Sequence, residues 1–302
     1  MSTDSSPQNI VPANAFENVS ISGVALSTIH LTRGKPRRNK PDVHEMFPGA
    51  PPKRLPSKLP PPGTMKLSLR LGKKIGYGAA GRIFEATIDY DHSSPELRDM
   101  AIPPLVVKVS RRYKADNLAR EAYYYEEMER LQGSIVPRYY GLYEAEISPE
   151  CDFTPWSKDK LRCDHGCHHP RDDPSNTQRN PKCCPSPSAL NVLIMERMGG
   201  QLSLVKDRTK ALRSELEALY AHLASIGVDH GDVRYQNILY APAGPDCLPS
   251  LPSPWTKKTY AWRIVDFHVA TKTNMSSRRL AFQYNQSIDI LLWNLPRDST
   301  SH

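Results

Sequence analysis

No apolar run in this chain approaches the ~18 residues that a membrane-spanning helix needs, and no basic stretch followed by an apolar one opens it. The expectation is an intracellular protein, cytoplasmic or nuclear, with no membrane partner. Cysteine is sparse, six in 302 residues, and in an intracellular chain these do not make a disulfide framework. The parts of a nucleic-acid reader are missing too: no zinc finger, recognition helix or aromatic-basic interleaving accompanies the net charge of +8. About half of that excess sits in residues 1–64, so nucleic acid is not an expected partner.

With 39% hydrophobic residues, the chain can bury a core and still leave long polar stretches. Residues 1–64 are rich in Ser, Asn and Pro and end in two proline clusters. By composition they read as a disordered arm, because such a stretch buries too little apolar surface to offset its ordering entropy. Lys35, Arg37, Arg38 and Lys40 within it are either solvated tail charges, an import signal or a phosphate-attracting patch. A second polar stretch, about 150–188, holds Cys163, Cys167, Cys183 and Cys184 with three histidines. The Cys163-x3-Cys167 spacing fits a structural Zn²⁺ knuckle. The adjacent Cys183-Cys184 does not, and an insert of free thiols is the competing reading.

Chemistry concentrates in two short segments. The first is His230-Gly231-Asp232-Val233-Arg234-Tyr235-Gln236-Asn237; the second is Ile264-Val265-Asp266-Phe267-His268. Apolar β-type residues flank both, which places the charges at strand ends. Two carboxylates and a carboxamide suit Mg²⁺-dependent phosphoryl transfer: one carboxylate orients and deprotonates a hydroxyl, while the other two groups hold a hard cation at nucleotide phosphates. Upstream, Gly76-Tyr77-Gly78-Ala79-Ala80-Gly81 joins two apolar stretches, and Ile83 to Ile88 alternate as a strand. Glycines allow backbone to approach phosphate closely. Pro104-Leu105-Val106-Val107-Lys108-Val109 is a strand with one charge, which needs a buried partner. A helix expected from Asp116 or Asn117 towards Gly133 carries Leu118, Ala122, Tyr125 and Met128 on one face, and Glu121 falls within that stripe.

Taken in order, the glycine turn, VVK, helix Glu, HxDxxxxN and DF resemble the protein-kinase-like superfamily over about residues 66–295. The resemblance implies an α+β, two-lobed protein-kinase-like fold over 65–300. Its N-lobe, about 65–198, would be an antiparallel sheet plus one helix; its C-lobe, about 199–300, would be minimal and mainly helical. It further implies that ATP is bound by Gly76, Gly78, Gly81, Ile83, Val106 and Lys108, with the backbone of Glu196 and Met198 at the adenine edge. Glu121 would position Lys108, Asp232 would act as base, Arg234 would neutralise the transferred group, and Asn237 and Asp266 would hold Mg²⁺.

Gly231 stands where regulated protein kinases carry arginine, and this HGD form is similar to aminoglycoside and choline kinases. His268 stands where glycine is usual. Only residues 267–302 follow Asp266, with one amphipathic stretch, Leu280, Tyr284, Ile288, Leu291 and Leu295, so a single closing helix is expected. The functional expectation is an ATP-dependent kinase acting on serine or threonine hydroxyls of a protein substrate. The alternatives are a non-catalytic interaction module and a small-molecule kinase.

Overall fold

The computed structural model describes residues 9–25, 27–148, 151, 153–156, 189–203 and 209–293. Cys163, Cys167, Cys183, Cys184 and Leu295 lie outside them. Seven strands close into a barrel: Phe16–Ser22 (β1), Ile29–Arg33 (β2), Met65–Tyr77 (β3), Gly81–Ile88 (β4), Leu105–Ser110 (β5), Tyr139–Glu146 (β6) and Ala189–Glu196 (β7). Around the barrel the order is β1-β2-β6-β7-β5-β4-β3, and β3 returns to β1. The β1/β3 seam is parallel, with Val19 opposite Leu67 and Ile21 opposite Leu69; the other pairings are antiparallel. Three α-helices stand among the described residues: Ala115–Glu127 (α1), Lys210–Ser225 (α2) and Ser277–Trp293 (α3). None is long and apolar enough to cross a membrane.

This architecture corrects the expected fold. The chain forms a closed, mixed barrel of seven strands instead of a two-lobed kinase arrangement with an antiparallel N-lobe sheet. The cause lies in the first 64 residues, which over their described part are not a disordered arm. Phe16, Val19, Ile21, Ile29 and Leu31 are all buried. Val19 with Ile21 and Ile29 with Leu31 stand two residues apart, the period of a strand, and their hairpin bridges β3 to β6, removing both sheet edges.

Two hydrophobic cores result. Phe16, Ile21, Leu67, Leu69, Val107, Val109, Val192 and Ile194 belong to one, with members from across the barrel strands. Val106, Leu193 and Met195 join α1, α2 and α3 in the other. Neighbouring residues of β5 therefore serve different cores, which is why all six are buried. Leu212, Leu216, Leu219 and Leu223 form the buried stripe of α2, whose N-cap Thr209 accepts from the Leu212 N–H at 3.0 Å. Past Gly227, at φ +64°, the chain enters Val228–Asp229 (β8), which pairs with Thr271–Lys272 (β11).

The proline-rich stretch after β2 is a strap. Arg37 donates its N–H to Ala119 O at 2.9 Å and its guanidinium to Asp116 at 2.7 Å, both on α1. Asn39 reaches Ala270 O at 2.7 Å, and the Asp42 N–H reaches Lys272 O at 2.8 Å. Asn274 then holds the strap with one side chain: its amide donates to Phe47 O at 2.6 Å and His44 O at 3.1 Å, and its oxygen accepts from the His44 N–H at 2.9 Å. Beneath the strap, Lys272 and Glu127 form a fully buried ion pair at 2.7 Å that ties α1 to β11. Asn274→Ala leaves several partly buried backbone groups without this partner and is expected to lower stability by about 1 kcal/mol or more, read from the urea midpoint at unchanged slope.

Candidate functional site

Lys108 faces out of the barrel towards α1, because directly opposed residues share a face and its cross-strand neighbours are Ile83 on β4 and Leu193 on β7. On α1, Leu118, Ala122 and Tyr125 are buried, and Glu121 lies among them with 1% exposure. Lys108 Nζ donates to Glu121 Oε2 at 2.6 Å and to Asp266 Oδ1 at 2.7 Å. Burial is the largest influence on the Lys108 ammonium and works against its charge, but Glu121 and Asp266 together outweigh it and hold its pKa above the ordinary value. Burial likewise pushes Asp266 up, yet the Lys108 charge and the His268 hydrogen bond prevail and hold its carboxyl well below the usual range. Glu121 goes the other way: burial outweighs Lys108 and raises its carboxyl.

Asp266 has φ +70°, a left-handed conformation that costs a non-glycine residue energy unless its surroundings impose it. Here Lys108 and His268 Nδ1, the latter at 3.0 Å, both meet Oδ1. The other carboxylate oxygen is the one left to face a ligand.

The segment between β8 and Ile238–Tyr240 (β9) carries Asp232, Arg234 and Asn237. Arg234 Nη2 donates to Asp232 Oδ2, and Asn237 Nδ2 donates to the same oxygen and to Asp232 O, each at 3.0 Å. Gly231 sits at φ +71°, so glycine is favoured there for its backbone, independently of any missing phosphate receptor. His230 is fully buried; its Nδ1 accepts from the Asp232 N–H at 3.3 Å, so Nε2 carries the proton and donates to Val265 O at 3.0 Å. Burial lowers its pKa, in keeping with a neutral ring.

These segments are brought together by pairing. β9 runs antiparallel to Trp262–Ile264 (β10), with Ile238 opposite Ile264, and the Val265 N–H donates to Asn237 O at 3.0 Å. Asn237 therefore sits beside the residue preceding Asp266. Phe267 packs between His230, 4.7 Å between ring centroids, and Tyr125 on α1, 5.4 Å. Sequence reasoning passed over His230, Tyr125 and Phe267 as site-building residues. Helical spacing with Glu121 marks Tyr125 alone among the three.

The glycine turn links β3 and β4, with the Gly78 N–H on Gly81 O at 2.8 Å. A Cβ on Gly78 would meet nothing within 4 Å, whereas one on Gly81 would lie 2.7 Å from Val109 O and 3.2 Å from the Lys108 side chain. Gly81 is thus required by packing on β5. Gly81→Ala is expected to cost about 1–3 kcal/mol through a forced backbone shift, while Gly78→Ala leaves the urea midpoint unchanged. A Cβ on Gly76 would sit in ordinary contact with Ile83 at 3.4 Å.

Ile83, Val106, Leu193 and Met195 form an apolar bed around Lys108. Glu196 is buried and spent on Arg138, Oε1 to Nη1 at 2.6 Å. The Glu196 N–H donates to Arg138 O at 2.9 Å, so it is not available to an adenine edge. Met198 makes no backbone hydrogen bond with any described residue, and its N–H and C=O remain candidates for that role.

No group of three or more His, Cys, Asp or Glu that could hold a metal occurs among the described residues. Mg²⁺ does not need one, since it takes one or two protein oxygens and completes its shell with water and phosphate. One Asp266 oxygen and the Asn237 amide oxygen, whose nitrogen is engaged on Asp232, fit that demand.

No protein-family model and no curated protein matches this chain. The closed seven-stranded barrel overturns the assignment to the protein-kinase-like superfamily.

Proposed function

We propose that the chain is an ATP-dependent phosphotransferase acting on a hydroxyl. The observation that carries this reading is the buried Lys108 bridging Glu121 and Asp266, with Asp266 next in sequence to Val265, whose N–H contacts Asn237, and with Asn237 hydrogen-bonded to Asp232. The argument is from the site alone, since the same chemistry recurs on unrelated folds.

Lys108, kept charged by its two carboxylates, is placed to hold phosphate oxygens, and Glu121 fixes its position. Mg²⁺ held by Asp266 and Asn237 would neutralise phosphate charge. Asp232 accepts the hydroxyl proton as the acceptor oxygen bonds to the γ-phosphorus; the bond to the β,γ-bridging oxygen breaks, and ADP leaves with that electron pair. Arg234, already on Asp232 and 58% exposed at its side chain, can offer its remaining N–H groups to the transferred group.

The test is thermal denaturation with ATP, with and without Mg²⁺, alongside transfer of labelled phosphate. ATP at a hundred times its dissociation constant should add about 2.7 kcal/mol, and Asp266→Asn should abolish the Mg²⁺-dependent part. Nucleotide binding without any labelled product, or no binding at all, would remove the phosphotransferase and leave an interaction module in its place.

A further inference from the structure

One face of α3 is buried through Leu280, Tyr284, Ile288 and Leu291. The opposite face is also apolar. At about 100° per residue, Arg279, Phe282, Gln286, Ile290 and Trp293 fall on one outward stripe, on which Phe282, Ile290 and Trp293 are 52%, 61% and 71% exposed. Together these three side chains leave roughly 400 Å² in water. On a soluble protein a patch of that size marks a place of contact.

The order of residues along the stripe identifies the occupant. Phe282 and Ile290 stand four residues either side of Gln286, and Arg279 and Trp293 stand seven either side. A second α3, laid antiparallel about a two-fold axis through Gln286, sets Phe282 against Ile290 of the second copy and Arg279 against its Trp293, while the two Gln286 side chains meet. Each pair is chemically matched: apolar on apolar, guanidinium on indole, and amide on amide, each of which donates and accepts. The Arg279 guanidinium already lies 5.7 Å from the centroid of the Phe282 ring, so it is directed along the stripe. Antiparallel packing also brings the basic first turn, Arg278 and Arg279, to the carbonyl end of the other helix, the negative end of its dipole. Asp289, the one acid on this face, is held by Arg213 of α2 at 2.7 Å. An unrelated protein or a lipid surface places no demand on residues equidistant from Gln286, whereas an isologous contact requires that symmetry.

We propose that α3 is a homodimer interface, in which two copies of this chain pair their α3 helices antiparallel about Gln286. The two stripes bury about 800 Å², less than the roughly 1,200 Å² of a standard stable interface. The dimer is therefore reversible and forms at micromolar concentrations and above. Ile290 also lines the groove of about 640 Å³ between the 229–236 segment and α3, so Phe282 of the second copy stands at the rim of that groove. The net charge of +8 on each copy opposes the pairing at long range and is screened by salt. Added salt thus strengthens this contact, the reverse of what an acidic partner would show.

The first measurement is sedimentation velocity of the full chain from about 1 to 100 µM, at low and at physiological salt. The weight-average mass should climb from one chain towards two, and further at the higher salt. Phe282→Asp and Ile290→Asp should each raise the dissociation constant at least about tenfold, with the urea midpoint of the dilute protein unchanged. Cross-linking with a short bismaleimide then reads the register, over the background that native cysteines give in the unaltered chain. Gln286→Cys, on the axis, should yield a covalent dimer. Arg278→Cys, which antiparallel packing separates from its equivalent by about 24 Å, should not exceed background. A mass fixed at one chain across the range, or a dimer that Phe282→Asp and Ile290→Asp leave intact, would overturn the interface. Failure of Gln286→Cys to join, or joining of Arg278→Cys as readily, would overturn the antiparallel pairing.

Discussion

Lys108→Met is expected to destabilise the fold by about 3–5 kcal/mol, because it leaves two buried carboxylates without their shared cation, and to reduce phosphate transfer by about 10²–10³-fold. The size of the stability effect follows from burial. Lys108 and Glu121 are 4% and 1% exposed, so water cannot replace the lost ammonium. The variant should also change the pH dependence of stability. In the native protein the Asp266 carboxyl lies below its ordinary value of 3.8. Its contribution is therefore present above the unfolded pKa and is lost as pH falls through the folded one. Without Lys108, burial dominates at both Asp266 and Glu121, whose ordinary values are 3.8 and 4.5. Their folded pKa values then lie above the unfolded ones, and the folded state is favoured below the unfolded pKa and penalised as pH rises. Acidification from neutrality should thus raise the Tm of Lys108→Met more steeply than that of the native protein, in which Glu121 lies above its ordinary value but Asp266 lies below and opposes it. Equal slopes in the two proteins would mean that Lys108 compensates no buried charge.

The opposed responses of Glu121 and Asp266 to the same ammonium also separate their roles. Glu121 is the more deeply buried and keeps one oxygen, Oε1, without a hydrogen-bond partner in the structure, so its charge depends almost wholly on Lys108. Asp266 has His268 as a second donor. It can therefore release Lys108 to a phosphate and remain an anion, whereas Glu121 cannot. A lysine that exchanges one of two carboxylates for phosphate is better suited to a substrate cycle than one held by a single buried partner.

The site was more legible in the sequence than the fold, and the reason is physical. Lys108, Glu121, Asp232, Asn237 and Asp266 are charged or polar residues set among apolar ones, and local periodicity is enough to place Glu121 on the buried face of α1. Closure of the barrel rests on the parallel pairing of Val19 and Ile21 with Leu67 and Leu69. That contact spans nearly fifty residues and leaves no local mark. Averaging over 64 residues rich in Ser, Asn and Pro also concealed the alternation of Val19 with Ile21 and of Ile29 with Leu31, each a strand signal at its own scale. The strap is harder still to foresee, because Asn274, which holds four of its backbone groups, resembles any loop asparagine. Left-handed backbone at Asp266 is likewise set among distant segments, where Lys108 and His268 meet its carboxylate.

Asp232→Asn is expected to lower kcat by about 10²–10⁴-fold, the range supplied by a positioned proton acceptor, with folding stability changed by less than about 0.5 kcal/mol. The substitution is nearly isosteric, and the amide oxygen can still receive Arg234 and the Asn237 amide, which now meet on Oδ2. The 229–237 segment should keep its shape, since His230, Gly231 and the Val265 contact do not use the Asp232 side chain. ATP binding should be unaffected, because Lys108, Asp266 and Asn237 remain, so the loss appears in kcat and in kcat/KM for the acceptor together. Removing Arg234 should act differently. Arg234→Ala frees one donor from Asp232 and takes away a cation beside the transferred group, weakening transfer while the carboxylate survives as base. Full turnover in Asp232→Asn would show that the proton leaves by another route; the hydroxyl would then need no carboxylate, and Arg234 would have a purely structural partner.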